Sequence, residues 1–345
     1  MRNEPGMKHA IMCPQCGAPL APHKFGRSIV CSYCGATIQL DESSVSAELF
    51  HKSFRVWNSP ESYQIPSWIS IGESHWALDQ CIANGDISDV YTGQRARWPT
   101  ELVILKLLRD RQHTTLFDNE WDVLQVLQRS DAPGSDTFTM LIPQPIIHGD
   151  ITTGAHAGKR ANIFRWTSGF HHTFDEVLQA YPQGIPPRAS IWIWRRILEV
   201  LSFLHNSRIV HGAVLPSHLL IQENEHGVRL VGYSAASPFG EKLRTISHRY
   251  ESFYPKSVRP FASLTAQLDL TMSARCMIAI LGGNPETGSL PRIVPPRLSK
   301  LVQQIALTEL RDSAREDAWS IREELGMIAS EVFGSPQFIP IVMPS

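Results

Sequence analysis

The chain has 345 residues, 43% of them hydrophobic, so it can build more than one domain around a buried core. Its 32 basic and 33 acidic residues leave a net charge of −1, which excludes a global basic field that would attract nucleic acid or an anionic membrane. The apolar runs are much shorter than the roughly 20 residues that span a bilayer, and the N-terminus lacks a signal-peptide pattern. We therefore expect a cytoplasmic protein with no membrane partner.

Four of the six cysteines lie near the N-terminus, in two C-x2-C pairs. Cys13 and Cys16 form the first pair and Cys31 and Cys34 the second, and each pair is followed by glycine. Two such turns supply the four thiolates of one tetrahedral zinc ion, in a closed site with a structural role. The alternatives are a redox pair or two disulfides, and a duplicated pattern in a cytosolic chain favours zinc. Residues 1–40 thus resemble a zinc ribbon.

The residues around these cysteines do not identify what the ribbon binds. Zinc ribbons bind nucleic acid or protein, or brace a neighbouring domain, and here only Lys24 and Arg27 are basic. We therefore do not expect nucleic acid as the partner. Cys81 and Cys276 lie in apolar surroundings and are predicted to be small core residues rather than a disulfide. Residues 41–75 are predicted to be a linker that packs on the following domain.

From residue 76 the hydrophobic pattern changes to short alternating segments joined by turns, which predicts strands. The segment 117–128 instead has apolar residues at helical spacing. Beyond Thr173, a predicted N-cap with Glu176 three residues later, helical patterns dominate. They predict a long amphipathic helix over 189–208 and further helices near 263–281, 297–309 and 316–333. A strand-rich half with one helix therefore precedes a helical half.

This order of elements resembles the protein kinase fold over residues 76–335. The turn ANGDISDVY stands where protein kinases carry the glycine-rich loop G-x-G-x-x-G-x-V-Y; Gly85 is its one remaining glycine and Val90 takes the adenine-stacking place. VILK resembles the V-A-I-K strand, which implies that Lys106 contacts phosphate and that Glu120 on the next helix pairs with it. The resemblance implies an α+β, bilobal fold after the zinc ribbon, with a mostly stranded N-lobe over 76–167 and a mostly helical C-lobe over 168–345.

The stretch VHGAVLPSHLLI at 210–221 resembles the catalytic loop H-R-D-L-x-x-x-N without its chemical groups. His211 keeps its place, Ala213 replaces the catalytic Asp, and His218 replaces the magnesium-binding Asn. In VRLVGYS, Gly232 takes the place of the Asp of D-F-G, which would be a second ligand of magnesium.

Phosphoryl transfer depends on an acceptor for the hydroxyl proton and on oxygen ligands for magnesium. Ala213 has no acceptor, Gly232 has no side chain, and the nitrogen of His218 suits zinc or copper better than magnesium. Two carboxylates in the turn, Asp86 and Asp89, would also repel a triphosphate. We therefore predict no enzyme activity, zinc as the structural metal, and neither ATP nor magnesium as a cofactor.

Further positions fit the same family. The resemblance implies that Asp269 anchors the catalytic loop, that Ile163–Trp166 form the hinge, and that Arg315 has lost its usual Glu partner, since Lys256 stands there. Two further sequence features look like functional sites but are predicted to be structural. His148, in an H-x-D sequence, is predicted to lie at a hairpin corner, and the tryptophans of WIW at 192–194 are predicted to pack between the lobes.

Three hypotheses follow for function. The first is a bacterial type of pseudokinase that signals by binding another protein, as a scaffold or allosteric regulator, with the zinc ribbon as a second docking element. The second is an unusual transferase, such as an atypical kinase, that uses His218, Lys106 and Glu120 in the same cleft. The third is an adaptor tethered to nucleic acid through the ribbon.

Overall fold

The computed structural model describes the kinase-like region and a few positions before it, namely residues 18, 28–31, 34, 37–39, 67–96, 101–154, 156–223, 227–258, 263–308 and 317–343. Near the N-terminus, strands β1 (Ser28–Val30) and β2 (Thr37–Gln39) pair antiparallel. No described helix is long and apolar enough to cross a membrane.

The N-terminal lobe is a closed barrel of antiparallel strands in the order β3-β4-β5-β6-β8-β7. Its strands are β3 (Ser67–Ile71), β4 (Ser74–Asn84), β5 (Ser88–Arg95), β6 (Leu102–Leu108), β7 (Pro145–Gly154) and β8 (Arg160–Arg165). Alternate residues of β6, Val103, Leu105 and Leu107, point into the barrel and are buried. The strand-rich half predicted from the alternating pattern is confirmed.

The start of this lobe differs from the predicted boundary at residue 76. Strand β3 lies inside the segment predicted as a linker, yet it pairs with both β4 and β7 and closes the barrel. The alternating pattern of SWISI is short, and its buried residues Ile69 and Ile71 pair with the adjacent strand β4 and also with the distant strand β7. A local reading of the sequence therefore placed the boundary too late.

Helix α1 (Thr114–Gln128) packs beside the barrel, and the short helix α2 (Ser135–Phe138) follows it. Phe117, Leu124 and Leu127 are fully buried, as their helical spacing predicts. Trp121 is only half-buried and stacks on His148. That histidine lies within β7 rather than at a hairpin corner, because β7 continues to Gly154 before the chain turns.

The C-terminal lobe is mostly helical, with two small sheets. Its elements are β9 (His172–Thr173), α3 (Phe174–Ala180), α4 (Pro187–Asn206), β10 (Ile209–Val210), β11 (Leu219–Gln222), β12 (Gly227–Leu230), β13 (Ser237–Pro238), α5 (Ala266–Ile280), α6 (Pro296–Ala306) and α7 (Ala318–Phe333). Thr173 and Glu176 form the predicted capping box at the start of α3. The predicted helices are confirmed to within a few residues at each end.

Helices α4 and α5 form the centre of this lobe and are buried along most of their length. Trp194 is buried there and its indole N–H donates to Ser273 of α5 at 3.2 Å, while that of Trp192 donates to the carbonyl of Gln337 at 3.2 Å. The prediction that these tryptophans pack between the lobes is wrong. The helix faces that carry them turn towards other parts of the same lobe.

The two isolated cysteines differ in environment. Cys276 on α5 is buried, as predicted, whereas Cys81 on β4 is exposed, so its prediction as a core residue is wrong. The cause is the shape of β4, whose residues 79–84 are exposed on both faces. On β4 the buried stretch ends at Leu78, so Cys81 is exposed, whereas its register partner Tyr91 on β5 packs against the barrel core.

Candidate functional site

Lys106 and Glu120 meet at the base of the barrel. Strand β6 carries the lysine and helix α1 the glutamate, and their Nζ and Oε2 atoms lie 2.5 Å apart. The other oxygen, Oε1, accepts the backbone N–H of Tyr233 at 3.1 Å. Glu120 is 1% exposed and Lys106 15%, so this is a buried pair that links the lobes rather than an ordinary surface ion pair.

Three consecutive side chains of α1 hold this helix in place. Asp118 accepts Arg160 Nε of the barrel at 2.5 Å. The next residue, Asn119, donates its amide to the carbonyls of Ser234 at 3.0 Å and Ala236 at 2.8 Å. Together with the pair made by Glu120, these contacts fix α1 against both lobes.

Val90 and Gly85, predicted to line a nucleotide cleft, lie on the same side of the lobe as the lysine. Val90 is the register partner of Lys106 in the β5–β6 ladder, so both side chains leave the same face of the sheet. Gly85 begins the short turn between β4 and β5, and its N–H donates to the carbonyl of Ser88 at 2.9 Å. That N–H is therefore not available to cradle a phosphate.

The loop after β10 is braced from below by Asp269 of α5. This carboxylate is fully buried and accepts the backbone N–H groups of His211 at 2.8 Å and Gly212 at 2.9 Å. His205 Nε2 lies 3.0 Å from the same carboxylate. Gly212 has φ of +72°, which favours glycine and places its N–H towards α5. The anchoring role implied for Asp269 thus has the expected geometry.

His211 is a structural residue in this loop. The N–H of Ala213 donates to Nδ1 at 3.3 Å, and Nε2 lies 3.2 Å from the carbonyl of Val231, so the proton resides on Nε2. Its ring packs edge-on against Tyr233 with centroids 4.5 Å apart. Burial lowers the pKa of His211 to about 3, which keeps the imidazole neutral.

His218 fills the position that a side chain at residue 232 would occupy. A Cβ atom built on Gly232 would lie 2.6 Å from both Nε2 and Cδ2 of the imidazole, much closer than van der Waals contact allows. His218 Nδ1 lies 2.8 Å from the carbonyl of Ala213 and so donates to it. Burial lowers the pKa of His218, and the positive charge of Lys106 lowers it further. The ring is therefore neutral, with the bare Nε2 turned towards Gly232.

The turn between β4 and β5 reaches across to the segment that follows Gly232. Ser247 Oγ donates to Asp86 Oδ2 at 2.9 Å, which connects the two lobes at the mouth of the cleft. The second carboxylate of this turn, Asp89, is paired with Arg109 at 2.6 Å. Of these two carboxylates, that of Asp86 makes no ion pair with the described residues, and it is bound to the chain's own serine.

Tyr250 extends from the same segment onto the loop that carries His211 and His218. Its hydroxyl donates to Asp175 of α3 and also bonds with Ser217 of the loop. Burial raises the pKa of this phenol to about 12. The segment 247–253 thus covers part of this loop, through the contact of Tyr250 with Ser217.

Arg275 of α5 has a role that the sequence did not reveal. Its guanidinium donates to the carbonyls of Tyr254 at 2.7 Å, Ser252 at 2.9 Å and Ala306 at 3.0 Å. It therefore holds the end of the segment near Lys256 to the C-terminal end of α6. Arg315, predicted as the structural arginine that lost its partner, lies outside the described residues. A buried arginine inside an apolar helix was the signal that could have identified Arg275.

The predicted zinc ligands are only partly within the described residues. Cys31 and Cys34 lie in the connection between β1 and β2, the first buried and the second half-buried. Cys13 and Cys16 lie outside the described part of the chain. Among described residues, no group of three His, Cys, Asp or Glu side chains could hold a metal, so a four-cysteine site would need both pairs.

Comparison with known proteins gives fold-level likeness. No protein-family model matches the chain. It is 21% identical over 234 residues to the serine/threonine-protein kinase stk11 homolog of Dictyostelium discoideum, and the match spans 66% of this chain but only 38% of that protein. The structure resembles the BubR1 kinase domain, with a TM-score of 0.57 and 15% identity, covering 83% of this chain and 91% of that one. It also resembles a rhoptry kinase from Toxoplasma gondii, with a TM-score of 0.58, 14% identity and coverage of 77% and 84%.

These findings establish a protein kinase-like fold with mixed helices and strands. The barrel with α1 corresponds to the predicted N-lobe and the helical part to the predicted C-lobe. The identities are too low to carry the activity of either structure to this chain, and function has to be argued from its own cleft.

Proposed function

We propose that this chain is a catalytically inactive pseudokinase that acts by binding another protein, as a scaffold or allosteric regulator. The observation that carries the proposal is the contact of His218 with Gly232. The imidazole takes the space of the carboxylate that would hold magnesium, so the missing oxygen ligand has been replaced by packing rather than merely lost. Ala213 beside it has no proton acceptor.

The covering segment supports the same conclusion. Ser247 and Asp86 join the lobes across the mouth of the cleft, and Tyr250 lies over the loop. A triphosphate with magnesium would have to displace these contacts and then find few oxygen ligands. The kinase-like fold would then serve as a stable surface, with neither ATP nor magnesium as a cofactor.

The test is thermal unfolding of the full chain with ATP alone, with ATP and Mg²⁺, and with ATP and Mn²⁺. The proposal expects no metal-dependent rise in Tm and no transfer of labelled phosphate to the chain or to a generic acceptor protein. Metal-dependent stabilisation followed by label transfer would refute it. The variant Lys106→Met is the control, because a nucleotide that binds in this cleft should lose affinity in it.

The intact pair of Lys106 and Glu120 favours one alternative, an unusual transferase such as an atypical kinase. In that case His218 Nε2, which is unprotonated and faces Gly232, would be the candidate base. The same titration separates the two functions, because the alternative requires nucleotide binding that depends on Lys106.

We also propose that Cys13, Cys16, Cys31 and Cys34 hold one structural zinc ion and that this ribbon is a second docking element. The support is the soft thiolate donor set and the position of Cys31 and Cys34 in a tight connection between paired strands. Metal analysis of the purified chain should find one zinc per molecule, and Cys31→Ser with Cys34→Ser should abolish it. Zinc content unchanged by these substitutions would contradict the site.

Retention of the intact chain on DNA or RNA at about 150 mM salt would instead support a nucleic-acid adaptor.

A further inference from the structure

A polar cavity of about 370 Å³ lies on the N-terminal lobe, and none of Lys106, Glu120, Ala213, His218 and Gly232 lines it. It is bounded by the last turn of α1, the start of β7 and the end of β8. Its volume falls within the about 300–1,000 Å³ that is usual for ligand sites in proteins. The residues that line it are Gln125, Gln128, Arg129, Gln144, Pro145, Ile146 and Arg165.

The charge of this cavity has one sign. Arg129 and Arg165 are basic, and none of the described residues that line the cavity is acidic. Arg165 is 61% exposed and pairs with Glu101 outside the cavity, 3.2 Å away. That glutamate also lies 3.6 Å from Arg95, so it does not neutralise the cavity by itself. A ligand with a carboxylate would therefore be favoured here.

Several polar side chains in this cavity have no hydrogen-bond partner among the described residues. Gln128 donates its amide to the carbonyls of Thr139 and Pro143 and shapes the wall. Gln125, Gln144 and Arg129, in contrast, make no side-chain hydrogen bond or ion pair with any described residue. The two glutamines are half-buried and Arg129 is exposed. Each free amide offers a donor and an acceptor, the complement of a peptide main chain.

Two exposed apolar residues are sequence neighbours of residues that line or shape the cavity. Val126, next to Gln125 on α1, is 56% exposed, and Met140, next to the Thr139 that receives the Gln128 amide, is 61% exposed. A small anion would leave both uncovered, whereas an extended chain could cover them as it crosses the cavity. Exposed apolar residues beside unused polar groups are typical of protein-binding surfaces.

We propose that this cavity, together with the exposed Val126 and Met140, is the docking groove for an extended, acidic segment of a partner protein. A carboxylate of the segment pairs with Arg129 and Arg165, and its main chain bonds with Gln125 and Gln144. The inference names a docking face for the proposed scaffold and so rests on that function.

The probe is a phage-displayed library of random 12-residue peptides, selected on the full chain. We expect enriched peptides to be rich in Asp and Glu. Their synthetic versions should lose about tenfold or more in affinity for Arg129→Glu with Arg165→Glu, and less for Gln125→Ala with Gln144→Ala. The matched control is Arg292→Glu with Lys300→Glu, which makes the same change of charge at exposed positions of the other lobe.

Each outcome decides the inference. Acidic peptides that bind the control but not the groove variant, with an unchanged Tm, support it. Failure to enrich any peptide, enrichment of sequences without carboxylates, or binding that survives in the groove variant overturns it. Phosphoryl transfer is measured separately, so label transfer with intact groove binding would remove only the proposed inactivity, and loss of the groove result would leave that inactivity standing.

Discussion

The two sides of the cleft differ in the functional groups that they present. On the barrel side, Lys106 and Glu120 form a close, buried pair, and Glu120 also binds the backbone of Tyr233. On the loop side, Asp269 still braces the backbone, but the residues that face the cleft are Ala213, His218 and Gly232. Polar groups that join elements are present on both sides, whereas the side chains at 213, 218 and 232 carry no oxygen atom. We propose that this kinase-like framework serves without phosphoryl transfer, and four experiments probe the contacts on its two sides.

The largest effect should come from Asp269→Ala. It removes the acceptor for two buried backbone N–H groups and for His205, at a cost of about 3–5 kcal/mol in the free energy of unfolding. Urea-induced unfolding followed by tryptophan fluorescence measures it. Asp269→Asn keeps one acceptor oxygen, so it should lose less and remain folded if the alanine variant does not. An unchanged urea midpoint in both would mean that this brace does not hold the loop.

The second-largest loss of stability should come from a substitution on the barrel side of the cleft. Lys106→Met leaves the carboxylate of Glu120, which is 1% exposed, without its cation and should cost about 2–3 kcal/mol. Adding Glu120→Gln should recover part of that loss, because no buried charge is then left alone. The matched control is Lys256→Met: its pair with Glu286 is mostly exposed and should be worth less than about 1 kcal/mol. Equal losses in the two lysine variants would place the Lys106 pair among ordinary surface pairs.

Gly232→Ala tests the packing of His218. Its methyl group would meet the imidazole at 2.6 Å, so the variant should lose about 2 kcal/mol more stability than Gly240→Ala. Gly240 has the same φ of +82°, but a methyl group added there would meet no atom within 4 Å, so this control reports backbone strain alone. In the background of His218→Ala the extra loss should disappear. If it persists there, the imidazole is not what excludes a side chain at 232.

The smallest effect, counted per pH unit, is a pH dependence from the buried His211. Its pKa is lowered from 6.5 to about 3 by burial, so the unfolded chain binds a proton that the folded chain does not between those values. Stability should be independent of His211 above pH 6.5 and fall by about 1.4 kcal/mol for each pH unit below it. His218, whose pKa is also lowered, should add to this slope. Unfolding midpoints from pH 7 to 5 measure it, and His211→Gln should show a shallower slope; identical slopes would show that His211 is not neutral in the fold.

Much of the fold could be predicted because local patterns carry it. The capping box at Thr173, the helical spacing from Phe117 to Leu127 and the length of α4 depend on neighbours along the chain, and the structure has them where expected. Strand β3 was missed for the opposite reason. It is only five residues long, and of its two pairings the one with β7, which closes the barrel, joins segments that lie far apart in the sequence.

The candidate site divides in the same way. Residue identities along the chain determined that positions 213, 218 and 232 carry no side-chain oxygen. The resemblance to the protein kinase fold was enough to pair Lys106 with Glu120 and to assign Asp269 to the loop. These conclusions need only the presence or absence of a functional group at a position.

Only the tertiary structure decided which side chains fill the cleft and connect its surroundings. The imidazole of His218 over Gly232, the bond of Ser247 to Asp86, the cover made by Tyr250, and the anchor of Arg275 all join residues from distant segments. The sequence determined the chemistry that each side chain can offer, because that is covalent. Which groups meet, and whether a charge such as Glu120 is buried, depends on packing between elements, which no local pattern encodes.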